Sequence, residues 1–88
     1  MALDEVTRQL QLAGHDAQVA FDCVGLGHLD RAHTHVVTAK AALDAAEVAL
    51  RHALETLSPT EAAREGALIM DALEEQEAGR QGPDEDRS

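Results

Sequence analysis

Residues 29–57, LDRAHTHVVTAKAALDAAEVALRHALETL, decide the architecture of this chain. Read in sevens, Leu29, Val36, Leu43, Leu50 and Leu57 fall one heptad apart, with Ala32, Ala39, Ala46 and Ala53 between them. Leu or Val at every a position and Ala at every d position, in unbroken 3-4 spacing, predicts a helix with a narrow apolar seam. The preceding segment carries a seam of its own: Leu3, Val6, Leu10, Ala13, Ala17, Ala20 and Val24. Two such seams predict two helices that lie against each other. Gly25-Leu26-Gly27 separates them, and glycine near a helix end suits a reversal of the chain. The pattern predicts an all-α protein built on an antiparallel, coiled-coil-like hairpin with a Leu/Ala seam.

The expected boundaries are 3–24 for the first helix and 28–57 for the second. Asp4 and Glu5 open the first, and Asp30 falls in the first turn of the second, where carboxylates meet the positive end of the helix dipole. Ser58-Pro59-Thr60-Glu61 then stops one helix and starts another. Ser58 fits an N-cap, Pro59 the first helical position and Glu61 the third residue of a capping box. A shorter third helix is expected over 59–78, presenting Ala63, Ala67, Ile69, Met70 and Leu73 to the hairpin and covering Leu50, Leu54 and Leu57. The remaining segment, GRQGPDEDRS at 79–88, is polar, contains Gly and Pro and lacks aliphatic residues, so it is expected as a disordered acidic tail beyond a 1–78 domain. For the hairpin register, facing Leu3 with Ala53, Val6 with Leu50, Leu10 with Ala46, Ala13 with Leu43 and Ala20 with Val36 sets large against small in almost every layer.

Composition limits the core this fold can build. The chain has 88 residues, 44% hydrophobic, yet a single Phe and neither Tyr nor Trp. An Ala-rich core of this size gains little per residue, and such scaffolds commonly rely on association. A homo-oligomer or a protein partner is therefore expected. The net charge of −10, from 17 acids and 7 bases, disfavours direct nucleic-acid binding, which needs Lys and Arg against phosphate. Acids concentrate in residues 60–78, where Glu61, Glu65, Asp71, Glu74, Glu75 and Glu77 face one base, Arg64. No basic leader with a long apolar stretch and no apolar run of about 18 residues is present, so a cytoplasmic protein without a membrane span is expected. A signal-less export route would leave no mark here.

Chemistry-bearing residues do not fall at site-making spacings. Of the five histidines, His15, His28, His33, His35 and His52, no two stand three or four residues apart, the spacing that presents two ligands together on a helix. Cys23 has no second cysteine for an intramolecular disulfide, and Ser58 is accounted for as a cap. No phosphate loop, CxxC or HExxH motif occurs. The expectation is a non-enzymatic protein without cofactor or metal. A metal or redox module at Cys23, His28 and His35 is the outlying alternative. What stands out instead is apolar surface beyond the seams: Leu12, Val19, Phe21, Val37 and Val48. With Leu10 of the seam and the acidic Glu74, Glu75 and Glu77, these are the candidate partner-binding residues.

Two long helices around a glycine turn, in a chain of this length, resemble the small WXG100/ESX-type proteins of actinobacteria. Gly25-Leu26-Gly27 stands where that family places its Trp-x-Gly. The likeness covers residues 3–57 and implies a helical hairpin related to secretion-accessory proteins; the family's Trp and its C-terminal Tyr-xxx-Asp/Glu signal are absent. Abundant Ala, Asp, Glu and Arg with one Lys also fits a GC-rich genome, actinobacterial or phage. The expected function is a helical adaptor that associates with itself or another helical chain. Its rival is an acidic inhibitor, antitoxin-like or phage-encoded, that occupies a basic nucleic-acid-binding surface.

Overall fold

The computed structural model of the chain describes residues 2–86, with side chains to Gly79. It contains α1 (Asp4–Gly25), α2 (Leu29–Thr56) and α3 (Pro59–Asp86). The two hairpin helices match the expected spans to within a residue at each end. Near the start of α1, the Arg8 guanidinium donates to both carboxylate oxygens of Glu5, at 2.8 and 3.0 Å.

The reversal between α1 and α2 is a Schellman turn. The His28 amide donates to the Cys23 carbonyl at 2.8 Å and the Gly27 amide to the Val24 carbonyl at 3.0 Å. This pair of bonds needs a left-handed residue between the cap and His28, and Gly27 supplies it with φ 77°. Gly25 remains inside the helix, so one glycine of the pair makes the turn.

The second break is the capping box the sequence spells. Leu57 leaves α2 in an extended conformation, φ −109° and ψ 138°. The Glu61 amide then donates to Ser58 Oγ at 3.1 Å, and the Ser58 amide to Glu61 Oε1 at 2.8 Å. These bonds, the backbone donation foremost and the Ser58 hydroxyl second, hold the Glu61 carboxyl below its ordinary value of 4.5. α3 is described from Pro59 to Asp86. Gly79 costs a helix about 1 kcal/mol relative to Ala but leaves the backbone ladder intact. The expected disordered tail thus overlaps α3 over 79–86, and its last two residues, Arg87 and Ser88, lie outside the described residues.

Burial identifies what closes the hairpin. Its most enclosed residues are Val6, Ala13 and Ala20 with Cys23 on α1, and Ala32, Ala39, Ala46 and Ala53 with Ala42 on α2. Apart from Cys23 and Ala42, these are the d positions of both seams. The a-position residues Leu10, Val24, Leu29, Val36, Leu43 and Leu50 remain between 42% and 65% exposed. Leu against Ala is therefore not the register adopted. His35 Nδ1 lies 3.0 Å from Asp16 Oδ1, whereas the expected register sets Asp16 level with Lys40, about 7.5 Å further along α2. Levelling Asp16 with His35 places Ala13 beside Ala39, Ala20 beside Ala32 and Val6 beside Ala46. Small side chains thus stand beside small ones along the contact, and the larger a residues stay exposed to one side.

Among the described residues, α3 meets the hairpin at its open end. Glu65 Oε1 accepts the Leu3 amide at 3.1 Å, and Leu68, Ile69, Ala72 and Leu73 line a shallow depression with Asp4, Thr7, Arg8 and Gln11. The expected cover over the end of α2 is partial: Leu57 is half-buried and Leu50 faces α3 at 42% exposure, whereas Leu54 is 81% exposed. The molecule is consequently flat, 46 × 39 × 13 Å, with a radius of gyration of 16.5 Å. A globular chain of this length is expected near 12 Å.

Two outcomes follow. Ala46→Leu forces a large side chain into the closest contact and should destabilise the hairpin by about 1–3 kcal/mol in thermal or urea unfolding followed by circular dichroism. The Glu61 contribution to α3 is fully present above pH 4.5 and is lost as the pH falls through the carboxyl's lowered value. Amide exchange at Ser58 should therefore accelerate, after correction for intrinsic rates, on acidification through that range, and Glu61→Gln should flatten the response.

Candidate interaction surface

In an antiparallel pair of helices centred on their d positions, the a rows of both lie along one side and the g rows along the other. The two sides differ in this chain. The g side holds Gln9, Asp16 and Cys23 on α1 with His35, Ala42 and Ala49 on α2, all buried or half-buried. It is closed by small side chains and by the Asp16–His35 contact. The a side holds Leu3, Leu10, Ala17 and Val24 facing Leu50, Leu43, Val36 and Leu29. These residues are too large to tuck between helices whose buried contact is lined by alanines. They form a ladder of apolar side chains on the hairpin surface.

At its open end this ladder meets α3. Leu3, Leu10 and Leu50 face Ile69, Met70 and Leu73 across a cleft of about 420 Å³. Toward the turn nothing covers it: Val24 is 58% exposed and Leu29 65%. The e positions beside the ladder add Phe21, 74% exposed, and on α2 the charged pair Lys40 and Glu47.

The residues proposed from sequence do not form one surface. Leu10 belongs to the open ladder, and Phe21 borders it. Leu12 lies on the other side, against Gln9, Asp16, Thr38, Ala41 and Ala42, and Val19 follows one heptad along from it, half-buried. Val37 and Val48 are exposed at b and f positions of α2, away from the ladder. Glu74, Glu75 and Glu77 are exposed on α3. The ladder residues Val36, Leu43, Leu50, Val24 and Leu29 were passed over because the seam reading used them to close the hairpin. The signal that could have found them is the run of Ala at d on both helices, which by itself satisfies a close contact.

The alternative centre at Cys23, His28 and His35 is not assembled. Cys23 is buried, His28 is exposed at the turn, and His35 is engaged with Asp16. Among the described residues, no group of three His, Cys, Asp or Glu side chains is placed to hold a metal ion. No helix among them is long and apolar enough to cross a membrane. Compared with protein families, curated proteins and solved structures, the chain matches none.

The Asp16–His35 contact is the cross-helix polar tie that accompanies the Ala-on-Ala register. Asp16→Ala should cost about 1 kcal/mol, the worth of one partly buried hydrogen bond, read as a lower urea midpoint. Asp22→Ala, at an exposed position on the same helix, should leave the midpoint nearly unchanged.

Proposed function

We propose that this protein is a non-enzymatic interaction module, a helical adaptor that works by packing the open Leu/Val ladder of its hairpin against another helical surface. The observation that carries this reading is the exposure of that ladder. A scatter of single apolar residues is ordinary on any protein, but a contiguous row with both helices contributing to each rung marks a binding face. Its i, i+7 spacing suits an incoming helix, which meets such a face at regular anchors. We extend the proposal to lineage: the glycine turn and hairpin support a relationship to the WXG100/ESX-type proteins, in an actinobacterium or its phage.

The exposed Glu74, Glu75 and Glu77 support the second reading, an acidic inhibitor of a basic surface. The two readings use different parts of the molecule, and in-cell photocrosslinking separates them. A photoreactive amino acid at Val36 should give a discrete adduct of defined mass, absent when it is placed at Val48. Leu10→Asp should reduce the Val36 adduct at least tenfold. Adducts confined to position 75, and lost when Glu74 and Glu77 are changed to Gln, would replace the adaptor with the inhibitor. No adduct at either position would sink both.

A further inference from the structure

The area of the open face and the charges beside it say what covers it. The chain exposes 6565 Å². A folded monomer of 9.4 kDa is expected to expose about 5,000 Å², so about 1,500 Å² more than usual is left in water. A stable dimer hides about 800 Å² on each partner. The chain as a whole, α3 included, therefore exposes enough surface beyond the ordinary amount to supply one such interface.

Charge narrows the occupant. Over the a and e positions of both hairpin helices, only Lys40 and Glu47 are charged, so this face is neutral although the chain carries −10. They stand one heptad apart on α2, on either side of Leu43. Leu43 also lies within the exposed a row of α2, with Val36 and Leu29 before it and Leu50 after it. An apolar row with a base three residues before one of its leucines and an acid four residues after it is close to complementary to itself when turned end for end about that leucine.

We propose that the occupant is a second copy of this chain, packed face to face about a two-fold axis that passes beside Leu43. This inference rests on the adaptor reading and gives that face a definite partner. Antiparallel α2 helices then set Leu43 against its own counterpart and Val36 against Leu50 of the second copy. Lys40 of each copy meets Glu47 of the other, giving two reciprocal ion pairs at the rim. The same operation sends the open ends of the two hairpins to opposite ends of the assembly. The two acidic α3 helices, with Glu74, Glu75 and Glu77, are thereby kept apart. A two-fold axis running along the helices would bring them together at one end, and their repulsion selects against it.

The test is sedimentation equilibrium of the full chain across 1–100 µM (roughly the range in which standard-size interfaces assemble), with circular dichroism to confirm that each variant stays helical. The wild type should sediment at twice 9.4 kDa. Leu43→Glu, at a position half exposed in the isolated chain, should remain helical and dissociate at least about 100-fold more readily. Lys40→Glu replaces two attractions with two repulsions and should weaken the dimer about tenfold. Adding Glu47→Lys to Lys40→Glu should restore it, because the swap recreates both pairs only if the two residues face each other across a two-fold axis. A helical wild type at 9.4 kDa throughout the range would overturn the proposal. So would a dimer indifferent to Leu43→Glu, or one that the double swap fails to restore. The adaptor reading fails separately: a monomer whose Val36 crosslinks to a different protein loses the second copy but keeps the adaptor, whereas a monomer without adducts loses both.

Discussion

The register that sets buried Ala13 beside Ala39 and Ala20 beside Ala32 is the constraint from which the rest of this structure follows. Alanine at the d positions lets two helices approach closely with almost no side-chain entropy lost. It also limits what the contact can bury. The most enclosed residues, at 2% to 8% exposure, are seven alanines with Val6 and Cys23, so the hairpin gains little hydrophobic stabilisation per turn. Leu and Val at the a positions cannot enter so narrow a gap. They are displaced to one side together, because antiparallel pairing aligns the a rows of both helices. Close packing in one direction thus creates exposure in another.

The remaining elements adjust to that geometry without concealing it. The Schellman turn at Gly27 holds the two helices level, and the Asp16–His35 contact ties them on the side away from the ladder. The Ser58–Glu61 box redirects the chain sharply, and among the described residues α3 meets the hairpin at its open end, near Leu3, the first turns of α1 and Leu50. A helix of this length laid along the Leu/Val ladder would have covered it. Its composition explains why it is not: beyond Leu73, α3 is dominated by Glu74, Glu75 and Glu77, which have no reason to lie on an apolar row. The flat shape is the consequence, and it leaves the Leu/Val ladder exposed toward the turn.

Much of the fold was legible in local sequence signals. The heptad spacing named both hairpin helices, the two glycines located the turn, and Ser58-Pro59-Thr60-Glu61 marked the start of α3 to the residue. Register was not legible, because the same heptad pattern is satisfied by Leu opposite Ala or by Ala opposite Ala. Counting filled layers favours the first, but the contact between Asp16 and His35, nineteen residues apart, goes with the second. The error passed straight into the site. Once the a row was assigned to the interior, the search for a binding face turned to Leu12, Val19, Val37 and Val48, which lie on different sides of the hairpin. Only Leu10 and the neighbouring Phe21 fell on the open side.

The register is the central claim, and methyl–methyl nuclear Overhauser contacts measure it directly, whatever the chain's state of association. The account predicts contacts between the Ala13 and Ala39 methyls and between those of Ala20 and Ala32. Strong contacts from Ala13 to Leu43 and from Ala20 to Val36, with none between the alanine pairs, would contradict it. The Leu/Val ladder would then belong to the hairpin's own interior, and no open face would remain.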